Sequence, residues 1–301
     1  MKKINSLFRK PKPLMYLEPN TKIYLFTNRK KTLKKIYEEI KTLTNRLYIQ
    51  TYRRPSNAII GIIQPLLWLL LFGALFQNAP INLLEGYKIK YGEFLSPGIL
   101  MFTAFTSSIN AGLPIIFDRE FGFLNRLLIS PLINRKTLIF SSIIYIWAIT
   151  IVQILAILIL SRYYFKTLKE IKEIIAIVSI ATLIITNIAS ISICNAFALP
   201  GHIEFIALTL VINLPTLFSS TALAPLSFMP YWLQIIVCLN PLTYAIEITR
   251  HIYLKNEFLI NKNIISTIWF RLHIKESIYI LILMNILSFI LVNKIIKYKY
   301  D

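Results

Sequence analysis

Six stretches of the 301-residue chain carry no Asp, Glu, Lys, Arg or His: 58–78, 94–117, 137–161, 174–201, 205–246 and 277–293. Uncharged apolar runs of this length have one physical outlet. A hydrocarbon layer about 30 Å thick takes about 20 helical residues to cross, and within it each backbone N–H and C=O must be satisfied inside the helix. The first four runs each match one crossing, the sixth matches with its flanks, and the fifth is too long for one. The chain is 56% hydrophobic with a mean hydropathy of +0.61, too apolar for a single water-soluble core to hide. The predicted fold class is an all-α membrane protein with six transmembrane helices, at about 58–78, 94–117, 137–161, 174–199, 205–224 and 275–294.

The fifth run owes its length to an uncharged, proline-interrupted piece joined to the end of its helix. Pro225 and Pro230 stop a span over 205–224. The piece from Tyr231 to Ile246 is too short to cross and has Pro241 inside it, so it is expected to dip into the outer leaflet and return before the last span. A full crossing there would make seven spans and move the C-terminus to the other side.

Positive charge sets the threading. Of 33 Lys and Arg, 15 precede residue 58, 4 lie in 118–136 and 3 follow residue 293, whereas the other loops hold 2, 4 and 5. Both termini on the cytoplasmic side, or the stromal side of a plastid, places 22 of the 33 inside. The basic, flexible tail over 1–30 reads as a topology signal helped by anionic headgroups, not as a nucleic-acid site. It has no apolar core of a cleavable leader. The chain has 56 Ile against 5 Val, a ratio membrane physics does not demand and an AT-rich bacterial or organelle genome would produce.

Two elements are expected outside the bilayer. Over 31–54, Leu33, Ile36, Ile40, Leu43 and Leu47 form one narrow apolar stripe on a polar helix, which predicts an amphipathic helix along the inner surface. Between the second and third spans, FDREFGFLNRLLISP (117–131) predicts a continuous amphipathic helix. Phe121, Leu124 and Leu128 share its apolar face, and Arg119, Glu120, Asn125 and Arg126 line the others. Pro131 ends it. Such a helix either rests on the membrane surface or docks in a groove of another protein.

The same residues resemble the signature of the ABC type-2 permease family: Arg119, Glu120, Gly122, Leu124, Leu127, Leu128 and Pro131 match in order. NPLTYAIEITR (240–250), with Asn240, Pro241, Tyr244 and Arg250, is similar to that family's segment before the last span and follows a proline-rich turn that includes Pro230, and RRPSNAIIGIIQPLLWLLLFG is similar to its first span, including Gln64, Pro65 and Trp68. Phe123 and Asn125 stand where the family often has Thr and Glu. The resemblance runs from about residue 45 to 297 and looks particularly like permeases of algal plastids. It implies a six-span permease domain over 55–297 that pairs with a second copy and with an ABC ATPase subunit to export a substrate. In that arrangement 118–131 is the coupling helix and 31–50 flanks it.

The residues agree with a borrowed energy source. No Gly-Lys pair occurs, so no P-loop is present, and ATP hydrolysis is expected in a partner, with no cofactor held here. The uncharged runs lack the buried ionisable groups that mark proton-coupled carriers. His202, His251 and His273 are separate and expected in solvated loops, which leaves no convergent catalytic site. Cys194 and Cys238 have no metal-site spacing. A non-transporting assembly or translocase subunit remains the alternative. Gln64, Gln153, Asn187, Asn195 and Asn213 are the polar exceptions within the spans. Interhelical hydrogen bonding and, for Gln64, Asn187, Asn195 and Asn213, lining of a pathway between two copies are both open to them.

Overall fold

The computed structural model describes residues 29–77, 91–129, 136–165, 171–255, 263–266 and 271–300. The tail before Arg29 and Pro131 lie outside them. The described chain is helical apart from a short antiparallel ribbon, β1 (Asn263–Ser266) with β2 (Arg271–His273). Its helices are α1 (Arg29–Arg53), α2 (Ser56–Leu75), α3 (Tyr91–Ile109), α4 (Leu113–Glu120), α5 (Phe123–Ile129), α6 (Lys136–Phe165), α7 (Ile171–Ala198), α8 (His202–Phe218), α9 (Tyr231–Leu239), α10 (Pro241–Lys255) and α11 (Ile274–Tyr300).

Five segments among the described residues are long and apolar enough to cross a membrane: Ala58–Leu75, Tyr91–Glu120, Thr137–Ser161, Ile171–Ala198 and Ile274–Val292. A sixth candidate is the pair α9 and α10, bent by 87° at its break. The molecule is an all-α membrane protein. α7 is its central helix, packed against α11, α3, α6, α10 and α4. Its Ile177, Ala181, Ile184 and Ile185 are completely buried in the main core.

Polar residues within the bundle bond between helices. Ser288 donates to Asn187 Oδ1, Thr186 to Asn285 Oδ1 and Asn285 to the Leu183 carbonyl, which ties α7 to α11. Ser107 on α3 donates to Gln153 on α6. A Cβ on Gly61 of α2 would run into the Gln153 amide, so the missing side chain makes room for that bond. Such bonds contribute roughly 0.6 to 2 kcal/mol each.

Three sequence expectations need correction. The helix expected over 117–131 is not continuous. Phe121 and Gly122 break it, with Gly122 at φ 70°, in the left-handed region that only glycine enters cheaply. Second, the span expected at 205–224 is α8, which starts at His202 and ends at Phe218, where Asn240 takes over its terminal carbonyls. Third, the loop expected after Ile246 is helical to Lys255, and it buries Arg250 and His251 at 2% and 5% exposure. Once Pro241 has begun α10, no glycine or proline stops it, and one face of the helix is needed against α3, α7 and α11. The solvated-loop expectation for His251 is therefore wrong.

Burying a guanidinium requires engaged partners. Arg250 pairs with Glu247 one turn earlier and donates to the Thr221 carbonyl at 2.5 Å. It also lies 3.9 Å over the Phe94 ring. Nearby, Tyr91 donates to the Leu223 carbonyl at 2.8 Å, and Gly98 sits where a Cβ would come within 2.6 Å of the Ala222 oxygen and 2.8 Å of its Cα. Arg250→Ala strands the carboxylate of Glu247, and breaking such a pair costs about 3–5 kcal/mol. The loss is measured as earlier heat-induced aggregation in detergent, and Glu247→Ala in the same chain is expected to restore part of it. Gly98→Ala forces backbone apart and costs about 1–3 kcal/mol by the same assay.

Candidate functional site

The end of α4 gathers four other elements. Asp118, the first charged residue after the second apolar run, forms a bidentate ion pair with Arg46 of α1, one of whose bonds is 3.1 Å long. The Arg46 guanidinium also lies 4.4 Å over the Phe123 ring of α5. α1 is held further along by Tyr48, whose ring meets Tyr145 of α6 edge to face at 5.6 Å, and by a 2.5 Å hydrogen bond between the Thr51 and Tyr145 hydroxyls. Burial, and secondarily Tyr145, push the Tyr48 phenol above its usual range, so it remains neutral.

The second half of α1 thus packs on the bundle, with Leu47 3% exposed, while Leu33, Tyr37 and Tyr52 are open at 62%, 66% and 88%. Of the predicted stripe, its C-terminal end is covered by protein and its N-terminal end is not.

Arg119 and Glu120 reach the two sides of the turn between α7 and α8. Arg119 donates to the carbonyls of Ala196, Leu199 and Pro200 at 3.0, 2.6 and 2.8 Å, where α7 ends. Glu120 accepts the His202 backbone N–H at 2.7 Å and a bond from the His202 ring Nδ1 at 2.6 Å, where α8 begins. The carboxylate is the acceptor in that last bond, which places the proton on Nδ1. His202 is therefore the first residue of a helix and engaged, not a free loop residue. Phe117 backs it at 5.3 Å between ring centroids.

Past the left-handed Gly122, α5 returns with Leu124 buried among Ile115, Ile116, Phe197 and Phe205, while Leu127 is half-buried. Outward face Phe121 and Ile129, 80% and 85% exposed, with Asn125 and Arg126 also exposed. The tip of this elbow is an apolar pair around one cation. Sequence reasoning put Phe121 and Leu124 on a shared face. The glycine separates them, one to solvent and one to the core.

The predicted residues around Asn240 are also brought together, for a structural task. Asn240 donates from Nδ2 to the Thr216 and Ser219 carbonyls at 3.2 and 2.8 Å and accepts the Leu242 N–H at 3.0 Å. Thr243 and Tyr244 donate to the Val237 and Cys238 carbonyls at 2.8 and 2.6 Å. Pro241 opens α10 where an N–H has no intrahelical partner, and Pro230 likewise precedes α9 in extended conformation. The motif from Asn240 to Tyr244 therefore caps the ends of α8 and α9 and the start of α10.

The residues suggested for a pathway do not converge within one chain. Gln64 is exposed in an apolar groove of about 610 Å³ whose lining residues all belong to α2. Asn187 faces α11 through Ser288, and Asn195 is half-buried on α7. Asn213 lies on α8 with its Oδ1 buried and without a hydrogen-bond partner among the described residues. What the sequence did not disclose is the pairing of Asp118 with Arg46 and the bonds of Ser192 to the Ile109 carbonyl and the Gly112 N–H. No local pattern pairs Arg46 with an aspartate 72 positions on.

Comparison with known proteins agrees with this architecture. The chain is 48% identical over 260 residues to a protein of Cyanophora paradoxa named "Putative transport permease ycf38", covering 86% of this chain and 89% of that one. Proteins of the same name from Porphyra purpurea and Pyropia yezoensis are 44% and 46% identical over 266 residues, 88% of this chain and 91% of each. The family model described as "ABC-2 type transporter" matches residues 38–254, which include α5, the Asn240–Tyr244 motif and Arg250. With its apolar helices, this makes the chain an integral, multi-pass membrane protein of the ABC-2 type transporter family.

Proposed function

We propose that the chain is the permease subunit of an ATP-binding cassette exporter in a plastid membrane, driven by a separate ATPase subunit that docks on the α4–α5 elbow. One observation carries this: the elbow ends a 30-residue apolar segment and presents Phe121, Arg126 and Ile129 outward, an anchor pattern with no partner to cover it among the described residues. Arg119, Glu120, Gly122, Leu124, Leu127 and Leu128, with Pro131 beyond the described residues, belong to the coupling element, Arg119 and Glu120 by holding it to the rest of the chain and not as docking contacts. The exposed first half of α1 flanks it. Absence of a P-loop motif supports placing ATP hydrolysis outside this chain.

A second copy of the same chain completes the pathway in this reading. The outer face of α2, with Ile59, Ile63, Leu67 and Leu71, and that of α8, with Leu210 and Leu214, are open apolar surfaces. Gln64 and Asn213 place amides on the same two helices. Both termini lie on the ATPase side.

The docking assignment is tested by co-purification of the ATPase with the permease. Phe121→Ala combined with Arg126→Glu is expected to weaken association at least tenfold, since anchors of this type each contribute more than about 1 kcal/mol. Undiminished association would show that the elbow is not the dock. Orientation is tested in sealed vesicles with a membrane-impermeant thiol reagent. Cysteines at Phe121 and Tyr37 are expected to label from one side and a cysteine at Trp232 from the other. Gly122→Ala is expected to destabilise the elbow by about 1–2 kcal/mol through the left-handed backbone alone, because nothing lies within 4 Å of its Cβ position. Protease cleavage at the elbow reads this, with Gly122→Asn milder.

A further inference from the structure

We propose that Arg119 and Glu120 are positioning residues that clamp the elbow to both sides of the α7–α8 turn, making α8 the rod that carries elbow movement to the outer hairpin of α9 and α10. This deepens the coupling reading and rests on it. Two adjacent side chains of opposite charge reach opposite helix ends. The guanidinium of Arg119 takes three carbonyls at the end of α7, where the helix presents its negative pole. The carboxylate of Glu120 takes the first N–H of α8, at a positive pole. Both side chains are already engaged by partners within this chain.

The turn between the two helices is shaped to admit the carboxylate. Gly201 is extended, and a Cβ there would lie 3.1 Å from Glu120 Oε1 and 2.7 Å from Glu204 Oε2. On the opposite side of the clamp is the left-handed Gly122, with open space around it. α4 is therefore tied to α8 just before the left-handed glycine at which the helix breaks. From the clamped end, α8 runs as one helix to Phe218. There its carbonyls at Thr216 and Ser219 are held by Asn240, the residue that joins α9 to α10. Elbow, clamp, α8 and outer hairpin form an unbroken series of hydrogen-bonded joints.

The test needs no knowledge of the substrate. The full chain carries Cys194→Ser, Cys238→Ser and Trp232→Cys, and is reconstituted in vesicles with the ATPase subunit that co-purifies with it. Labelling of position 232 by an impermeant maleimide is timed with and without ATP. The expected result is a several-fold ATP-dependent change in labelling rate, within the usual range of coupling between distant sites. Glu120→Ala is expected to abolish that change while ATPase association and ATP hydrolysis persist. Glu120→Gln, which still accepts the His202 N–H, is expected to keep it. Glu120→Cys with His202→Cys is expected to regain it on oxidation.

An ATP-dependent change that survives in Glu120→Ala overturns the clamp. So does loss of ATPase association in Glu120→Ala, which would make this carboxylate a docking contact. The docking reading fails separately, when Phe121→Ala with Arg126→Glu leaves association intact.

Discussion

Every break in an apolar helix exposes carbonyl and N–H groups where water is scarce, and this fold depends on how those groups are satisfied. Between α3 and α4, Ser192 of α7 reaches in. Its hydroxyl donates to the Ile109 carbonyl at 2.6 Å and accepts the Gly112 N–H at 2.9 Å. Gly112 allows the approach, since a Cβ there would come within 2.6 Å of the Ser192 carbonyl. At the end of α8 the repair is Asn240, and at the end of α9 it is Thr243 and Tyr244. The turn after α8 is closed by Arg250 and Tyr91. Each break is matched to a side chain far away in sequence or placed just past the break.

These repairs give the bundle two stiff ends. At one, Arg119 and Glu120 join the end of α4 to the α7–α8 turn, and Asp118 joins it to α1. At the other, the Arg250 pair and the aromatic series Trp68, Phe72, Phe76 and Tyr91 join α2, α3 and α10. Between them the central α7 is apolar and tightly packed, with interhelical hydroxyl and amide bonds rather than charges. Arg119 and Glu120 act where helices end, the place in which a helix terminus supplies a compensating partial charge.

Much of this was legible in the residues. Charge-free runs located the apolar helices, because a membrane-crossing helix satisfies its own backbone and so leaves a local signature. Prolines 225, 230 and 241 marked the irregular path after α8, because proline removes an N–H wherever it stands. The elbow residues were recognisable as a group, but their roles were not. An amphipathic pattern is a statement about a straight helix, and the turn at Gly122 rotates everything after it. The burial of Arg250 and His251 was hidden for a related reason, since charge ordinarily signals solvent and nothing local announces that the Thr221 carbonyl and the Phe94 ring will be waiting.

The sequence by itself determined that this is a helical membrane protein, where prolines interrupt its apolar runs, and which short segments carry polar motifs, because hydropathy and proline act within a few residues of themselves. Only the tertiary structure decided what those polar residues hold. The bonds from Arg46 to Asp118, Arg119 to Leu199 and Glu120 to His202 span 72, 80 and 82 positions. Such partners are set by which helix ends the packing of apolar faces happens to bring together, and that packing is a property of the whole bundle and of no single segment.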